Sequence, residues 1–235
     1  MKRTLLGYVS LLGAIVASLL LSAAPLAHAF TAVLTLSDGS STTNILDQSA
    51  GDSNDATGAV QFVGTIGVWS VNATGMNVGT PSDPQLTLSS TQTSSGPGTL
   101  TIDFSDINFS SPSPLSVSNY FLGFVEGNPA SVSASTWESD SNIVTQKTTL
   151  LTNTGPIPIP YYPSGIAFVL PTNGNTVVSA PFSLTIETVA DETAGAGYTS
   201  LQDQLVTVPE PCSWALCTLG LAGFFLARRS VRRTS

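Results

Sequence analysis

Thr99 to Phe104 reads TLTIDF, in which Leu100, Ile102 and Phe104 alternate with Thr99, Thr101 and Asp103. Successive side chains of a strand point to opposite faces, so a period of two predicts a half-buried antiparallel strand. The same alternation recurs on both sides of it. Leu86 and Leu88 alternate with Gln85, Thr87 and Ser89, while Phe182, Leu184 and Ile186 alternate with Ser183, Thr185 and Glu187. Two further runs are apolar on both faces: Val60 to Val71, with Phe62, Ile66 and Trp69, and Tyr120 to Val125, with Phe121 and Phe124. These predict strands lying centrally between two layers. Turn signals at Asp38-Gly39, Gly51-Asp52, Gly79-Thr80-Pro81, Ser95 to Gly98, Gly127-Asn128-Pro129 and Asn173-Gly174-Asn175 separate the runs. No window between Phe30 and Thr207 carries a 3.6-residue apolar stripe. The expected fold is all-β, a single antiparallel β-sandwich of about ten to twelve strands, jelly-roll-like in architecture.

Two hydrophobic ends frame this region. Lys2 and Arg3, an apolar run from Leu5 to Leu21, and the small-x-small site Ala27-His28-Ala29 are the three parts of a secretory signal peptide over residues 1–29. Cleavage after Ala29 would start the mature chain at Phe30. An uncleaved N-terminal anchor is the alternative reading. Residues 30–207 form the expected exported domain, with no internal repeat and no second domain.

The exported segment has 178 residues, 52 of them Ser or Thr, with 14 acidic residues and a single basic one, Lys147, for a net charge of -13. Such a surface repels nucleic acid and anionic lipid. The only histidine, His28, lies in the signal peptide, and the only cysteines, Cys212 and Cys217, lie in the C-terminal apolar run. Ser-His-Asp and Cys-His catalysis, His-ligated zinc or iron, and disulfide stapling are therefore excluded from this segment. No cofactor is expected.

The candidate chemistry that remains is thin. Asp47, Asp52, Asn54 and Asp55 gather hard oxygen ligands suited to calcium, but they depart from the EF-hand pattern and read first as a solvated turn. Glycoside hydrolysis needs two carboxylates about 5 to 10 Å apart across a cleft, and nothing in the spacing of Glu126, Glu138 and Glu187 pairs them. Asp103 and Asp106 read as turn residues flanking a strand end. Thr99 and Thr101 read as solvent-facing strand positions, not as a regular ice-binding array. Pro156 to Pro163, PIPIPYYP, predicts a stiff polyproline segment displaying Tyr161 and Tyr162. Asp191 to Gln204 reads as a lead toward the C-terminal segment, with a final strand near Leu205 to Val208.

That segment, VPEPCSWALCTLGLAGFFLARRSVRRTS, runs from Val208 to Ser235. Cys212 to Ala227 is a 16-residue uncharged run. As a helix it would extend about 24 Å, short of the roughly 30 Å hydrocarbon core. Interfacial Trp214 and snorkelling arginines offset the deficit. Arg228, Arg229, Arg232 and Arg233 would hold the C-terminus in the cytoplasm. Pro209 and Pro211 make Val208 to Pro211 a stiff spacer that presents Glu210. A plain single-pass anchor is one reading of this order.

V-P-E-P, a short Trp-containing apolar helix and a terminal arginine cluster together resemble the PEP-CTERM sorting signal of bacterial surface proteins. The domain is also named an ice-binding-protein C-terminal domain, a name that implies no ice binding. The resemblance covers about residues 208–235. It implies a membrane intermediate processed by exosortase, a multi-pass membrane transpeptidase, in bacteria that make exopolysaccharide. The expected function is thus a non-catalytic exported surface or matrix protein associated with extracellular polysaccharide or biofilm. It would be held in the inner membrane before processing and lie at the cell surface or outside the cell afterwards. The alternative is an anchored carbohydrate-binding module or glycoside-active β-sandwich enzyme, which a concave face lined by Trp137, Tyr161 or Tyr162 beside two carboxylates would support.

Overall fold

The alternation at Thr99 to Phe104 lies inside a 12-residue strand, Gly98–Phe109, near the middle of a two-sheet structure. The computed structural model describes residues 31–208 apart from 112, 128, 161, 195 and 196, and only the backbone at 129, 130 and 162–164. The signal peptide with Ala27 and Ala29 lies outside the described residues. So do Pro209, Glu210, Pro211, the apolar run 212–227, and Arg228, Arg229, Arg232 and Arg233.

Thirteen strands follow in order: β1 Val33–Ser37, β2 Thr42–Leu46, β3 Ala59–Ile66, β4 Trp69–Asn77, β5 Gln85–Ser94, β6 Gly98–Phe109 and β7 Leu115–Gly127, then β8 Pro129–Ser139, β9 Thr149–Asn153, β10 Ile157–Pro158, β11 Tyr162–Thr176, β12 Phe182–Glu192 and β13 Tyr198–Thr207. Among the described residues there is no helix. One sheet has the order β10-β8-β12-β6-β1-β2, with β9 also paired to β8, and the other β11-β7-β13-β5-β4-β3. Every pairing is antiparallel. The all-β sandwich is as the alternation predicts.

Its core lies between the sheets. Leu34, Leu36, Ile102, Phe104 and Ile186 enter from the seven-stranded sheet, and Trp69, Leu86, Leu88, Phe121, Leu201 and Leu205 from the other. Each side chain of this size contributes about 1.5–3 kcal/mol on full burial. A methyl group on Gly75 would overlap the Phe104 ring, so glycine there lets the two sheets close on that side chain.

Three expectations are corrected. Val60 to Val71 is a hairpin, β3 and β4 joined at Gly67-Val68, and β3 is the edge of its sheet with Val63 60% exposed. Its apolar residues come from a turn that resets the alternation, not from a strand buried on both sides. Second, within Asp191 to Gln204 the first two residues end β12 and Tyr198 to Gln204 belong to β13, a central strand between β5 and β7. Thr199, Asp203 and Thr207 occupy inward positions there and hide the apolar period in the sequence. Third, Asp103 and Asp106 lie within β6, both buried, not at a turn. In the Pro-rich stretch, Ile157 and Pro158 form β10 against Val132 and Ser131, and Tyr162 opens β11. The displayed tyrosine side chains expected there, Tyr161 and Tyr162, are outside the description.

Candidate functional site

The outward face of the seven-stranded sheet holds the only Lys or Arg between Phe30 and Thr207. Register places Asp103 beside Glu187 on that face, where their like charges need a counterion. Lys147 supplies it. Its ammonium donates to Asp103 Oδ1 at 2.8 Å and to Glu187 Oε2. Burial raises the Asp103 carboxyl to about 6, with Lys147 pulling the other way. Burial also works against the Lys147 charge, but the two carboxylates outweigh it and hold its pKa above the ordinary value.

The loop carrying Lys147 is fixed at several points. Asn142 Nδ2 donates to Asn108 Oδ1 at 2.9 Å, and the Asn108 N–H donates to Asn142 Oδ1 at 2.7 Å. Ser183 Oγ donates to the Ile143 carbonyl at 3.1 Å. Trp137 shares this face, opposite Thr185, but is only partly exposed and has a buried indole nitrogen with no hydrogen-bond partner. The two carboxylates near it are occupied by Lys147.

The three glutamates singled out in the sequence are not brought together. Glu126 is exposed on the outward face of the six-stranded sheet, Glu187 sits on the outward face of the other, and Glu138 is buried in register with core Leu184. Burial, then Asp140, raises the Glu138 carboxyl to about 7. The side chains at 47–55 build a turn. Asp52 Oδ1 accepts from the Asn54 and Gln61 N–H groups, each at 2.9 Å, and Asp47 Oδ2 accepts from the Gly58 N–H at 2.8 Å. Asn54 Oδ1 accepts from the Ala56 N–H at 2.9 Å, and Asp55 is exposed. Among the described residues no group of three His, Cys, Asp or Glu side chains is placed to hold a metal ion.

The outward face of the six-stranded sheet is chemically different. Alternation presents Ser70 and Asn72 from β4, Thr91 and Thr93 from β5, Tyr198 and Gln202 from β13, and Tyr120, Leu122 and Phe124 from β7. Glu126 is the only formal charge among the outward positions of its six strands. Tyr120, Phe124 and Tyr198 are 43%, 37% and 37% exposed. Phe124 and Tyr198 meet edge-on, with ring centroids 6.2 Å apart. The Phe124 ring lies over Gly165, whose φ of +74° and missing side chain leave the space a methyl would fill. A shallow groove of about 350 Å³ opens beside Tyr198, lined by Thr65, Ser70, Asn72, Thr91 and Thr93 among others. A second, of about 370 Å³, lies where β7 and β11 meet Val208.

Sequence reasoning missed this surface. YFLGFVE from Tyr120 has apolar residues at both parities and reads as buried on both faces, yet only Phe121 and Val125 are. The one sequence signal for an open face was the run of Ser, Thr and Gln residues on β5 and β13, which would neighbour it.

No protein-family model matches the chain, and no curated protein matches it. Among solved structures, the enzymatically active domain of tailspike protein 4 of bacteriophage CBA120 aligns at 12% identity and a TM-score of 0.32, over 62% of this chain and 20% of that one. TmCBM61, solved with β-1,4-galactotriose, aligns at 9% identity and a TM-score of 0.32, over 63% of this chain and 92% of that one. An adhesin domain of Lys-gingipain from Porphyromonas gingivalis aligns at 9% identity and a TM-score of 0.29, over 64% and 98%. Likeness at this level carries no inference about what the chain binds.

Proposed function

We propose that residues 30–207 are a non-catalytic module exported through the N-terminal signal peptide and delivered to the cell surface or matrix through the Val208 to Pro211 motif. The observation that carries the proposal is the position of the boundary. Among the described residues the last strand, β13, ends at Thr207, and the Val208 N–H donates to the Ser116 carbonyl at 2.8 Å. The proline-bound motif thus follows directly on β13, the last strand among the described residues, and its two prolines suit it to be the accessible spacer that a membrane peptidase needs. The resemblance of the tail to PEP-CTERM signals supplies the processing enzyme, an exosortase-type transpeptidase, and the association with exopolysaccharide.

A non-catalytic role is supported by the dispersal of Glu126, Glu138 and Glu187 and by the capture of Asp103 and Glu187 by Lys147. The acidic body and its lack of a basic patch weigh against nucleic acid. We also read β5 to β13 as a jelly roll. They wind as β11-β7-β13-β5 against β8-β12-β6, with β9 and β10 forming an interrupted strand outside β8, and β1 to β4 extend both sheets.

The test is Glu210→Ala in the native host. Loss of surface delivery, with retention of a longer, membrane-bound form, is the expected result. Wild type and variant in one membrane fraction with intact C-termini would reduce the tail to a plain anchor.

A further inference from the structure

We infer that the outward face of the six-stranded sheet binds a neutral polysaccharide along a track from the groove beside Tyr198, over Phe124, to Tyr120. This deepens the proposed surface role and rests on it for the partner's location, but not for the chemistry. Three features define the ligand.

The first is charge. The body carries -13, yet the outward positions of these six strands carry one formal charge, Glu126, while Asp103, Glu187 and Asp191 lie on the opposite face. A polyanion is repelled by the molecule as a whole, and Glu126 is the one carboxylate that the outward positions of these strands offer a cationic ligand. An uncharged ligand fits this surface.

The second is the pairing of ring faces with hydroxyl and amide groups. Sugar rings offer an apolar C–H face and a rim of hydroxyls. The matching surface is an amphipathic aromatic ring beside side chains that both donate and accept. Tyr198 stands over a groove whose Ser70, Asn72, Thr91 and Thr93 are such groups. At about 350 Å³ the groove is at the lower end of the roughly 300–1,000 Å³ typical of ligand sites.

The third is preorganisation over a length greater than one sugar. Tyr198 is braced edge-on by Phe124, which is itself seated on Gly165, so the paired rings are held in place before any ligand arrives. Tyr120 is four residues from Phe124 on the same face, about 13 Å along the strand at roughly 3.3 Å per residue. A ligand touching both must be a chain of rings.

Native gels of the full-length protein in mild detergent test this, cast with hydroxyethyl cellulose or dextran as neutral polymers and alginate as the polyanion. The expected result is retardation by a neutral polymer and none by alginate. Tyr198→Ala and Tyr120→Ala should each weaken binding about tenfold, as loss of an aromatic anchor does. Tyr198→Phe should bind as wild type. Gln202→Glu, which puts a charge in the middle of the track without removing a ring, should also weaken binding, and all four should keep the wild-type melting temperature.

No retardation by either neutral polymer overturns the inference, as does equal retardation by alginate. So does unchanged retardation of Tyr198→Ala, Tyr120→Ala and Gln202→Glu. Surface display of a wild-type protein that no gel retards would sink this inference alone. Retardation of a protein that never reaches the surface would sink the display proposal alone.

Discussion

Replacing Asp203 by asparagine is expected to flatten the pH dependence of this protein's stability. Asp203 lies on β13 between Leu201 and Leu205, facing inward and with no exposed surface. Burial raises its carboxyl to about 8 from an ordinary 3.8, and the Asn119 amide and the Gln204 N–H pull it down only in part. Neither carboxyl oxygen reaches hydrogen-bond geometry with another group. The native protein therefore holds this proton more tightly than the unfolded chain does. The contribution to stability is complete below about pH 4 and is lost as pH rises through about 8. At about 1.36 kcal/mol per tenfold in proton affinity, the loss is roughly 6 kcal/mol, a large share of the 5–15 kcal/mol typical of a folded domain.

Burial also raises Glu192 to about 7 and Asp103 to about 6, in the same direction, so the wild type should be most stable in mild acid. The amide introduced by Asp203→Asn would mimic the protonated carboxyl at every pH. Urea unfolding at about pH 5 and about pH 8 reads the effect as a change in midpoint. Wild type should lose several kcal/mol more than Asp203→Asn across that interval. If both lose the same amount, Asp203 ionises in the native state without cost and its burial has been misjudged.

Two further substitutions probe the packing and the clamp. Gly75→Ala drives a methyl into the Phe104 ring and should destabilise the sandwich by about 1–3 kcal/mol in urea, leaving surface delivery of the folded fraction unchanged. Lys147→Met leaves Asp103 and Glu187 facing each other without a counterion. The expected loss is about 1–3 kcal/mol at about pH 8 and less at about pH 5, where Asp103 is protonated. An equal loss at both values would show that the ion pair contributes only through packing.

Much of the architecture was legible because alternation is a direct record of one wet and one dry face. TLTIDF within β6 and FSLTIE within β12 pair with each other in the structure, Phe104 opposite Ile186, and both point into the core. Where the record failed, the inward residues were polar or the outward ones apolar. β13 was hidden because Thr199 and Asp203 face inward, and the Tyr120 to Val125 face because Tyr120, Leu122 and Phe124 face out. Asp103 and Asp106 looked like turn residues because their partners are remote in sequence. Lys147 is 44 positions from Asp103, and Asn77, which donates to Asp106 at 2.7 Å, is 29 positions away. The candidate binding face was illegible for the same reason, since β7, β13 and Gly165 meet only through the cross-sheet order.

On the proposed function this sandwich is cargo, cut from its membrane tail after export. The intact mass of the protein recovered from the surface of its native host decides between cargo and anchor. A chain beginning at Phe30 and ending within Val208 to Pro211, with or without an attached group, is the predicted result. A surface-recovered chain whose mass runs to Ser235 would contradict it.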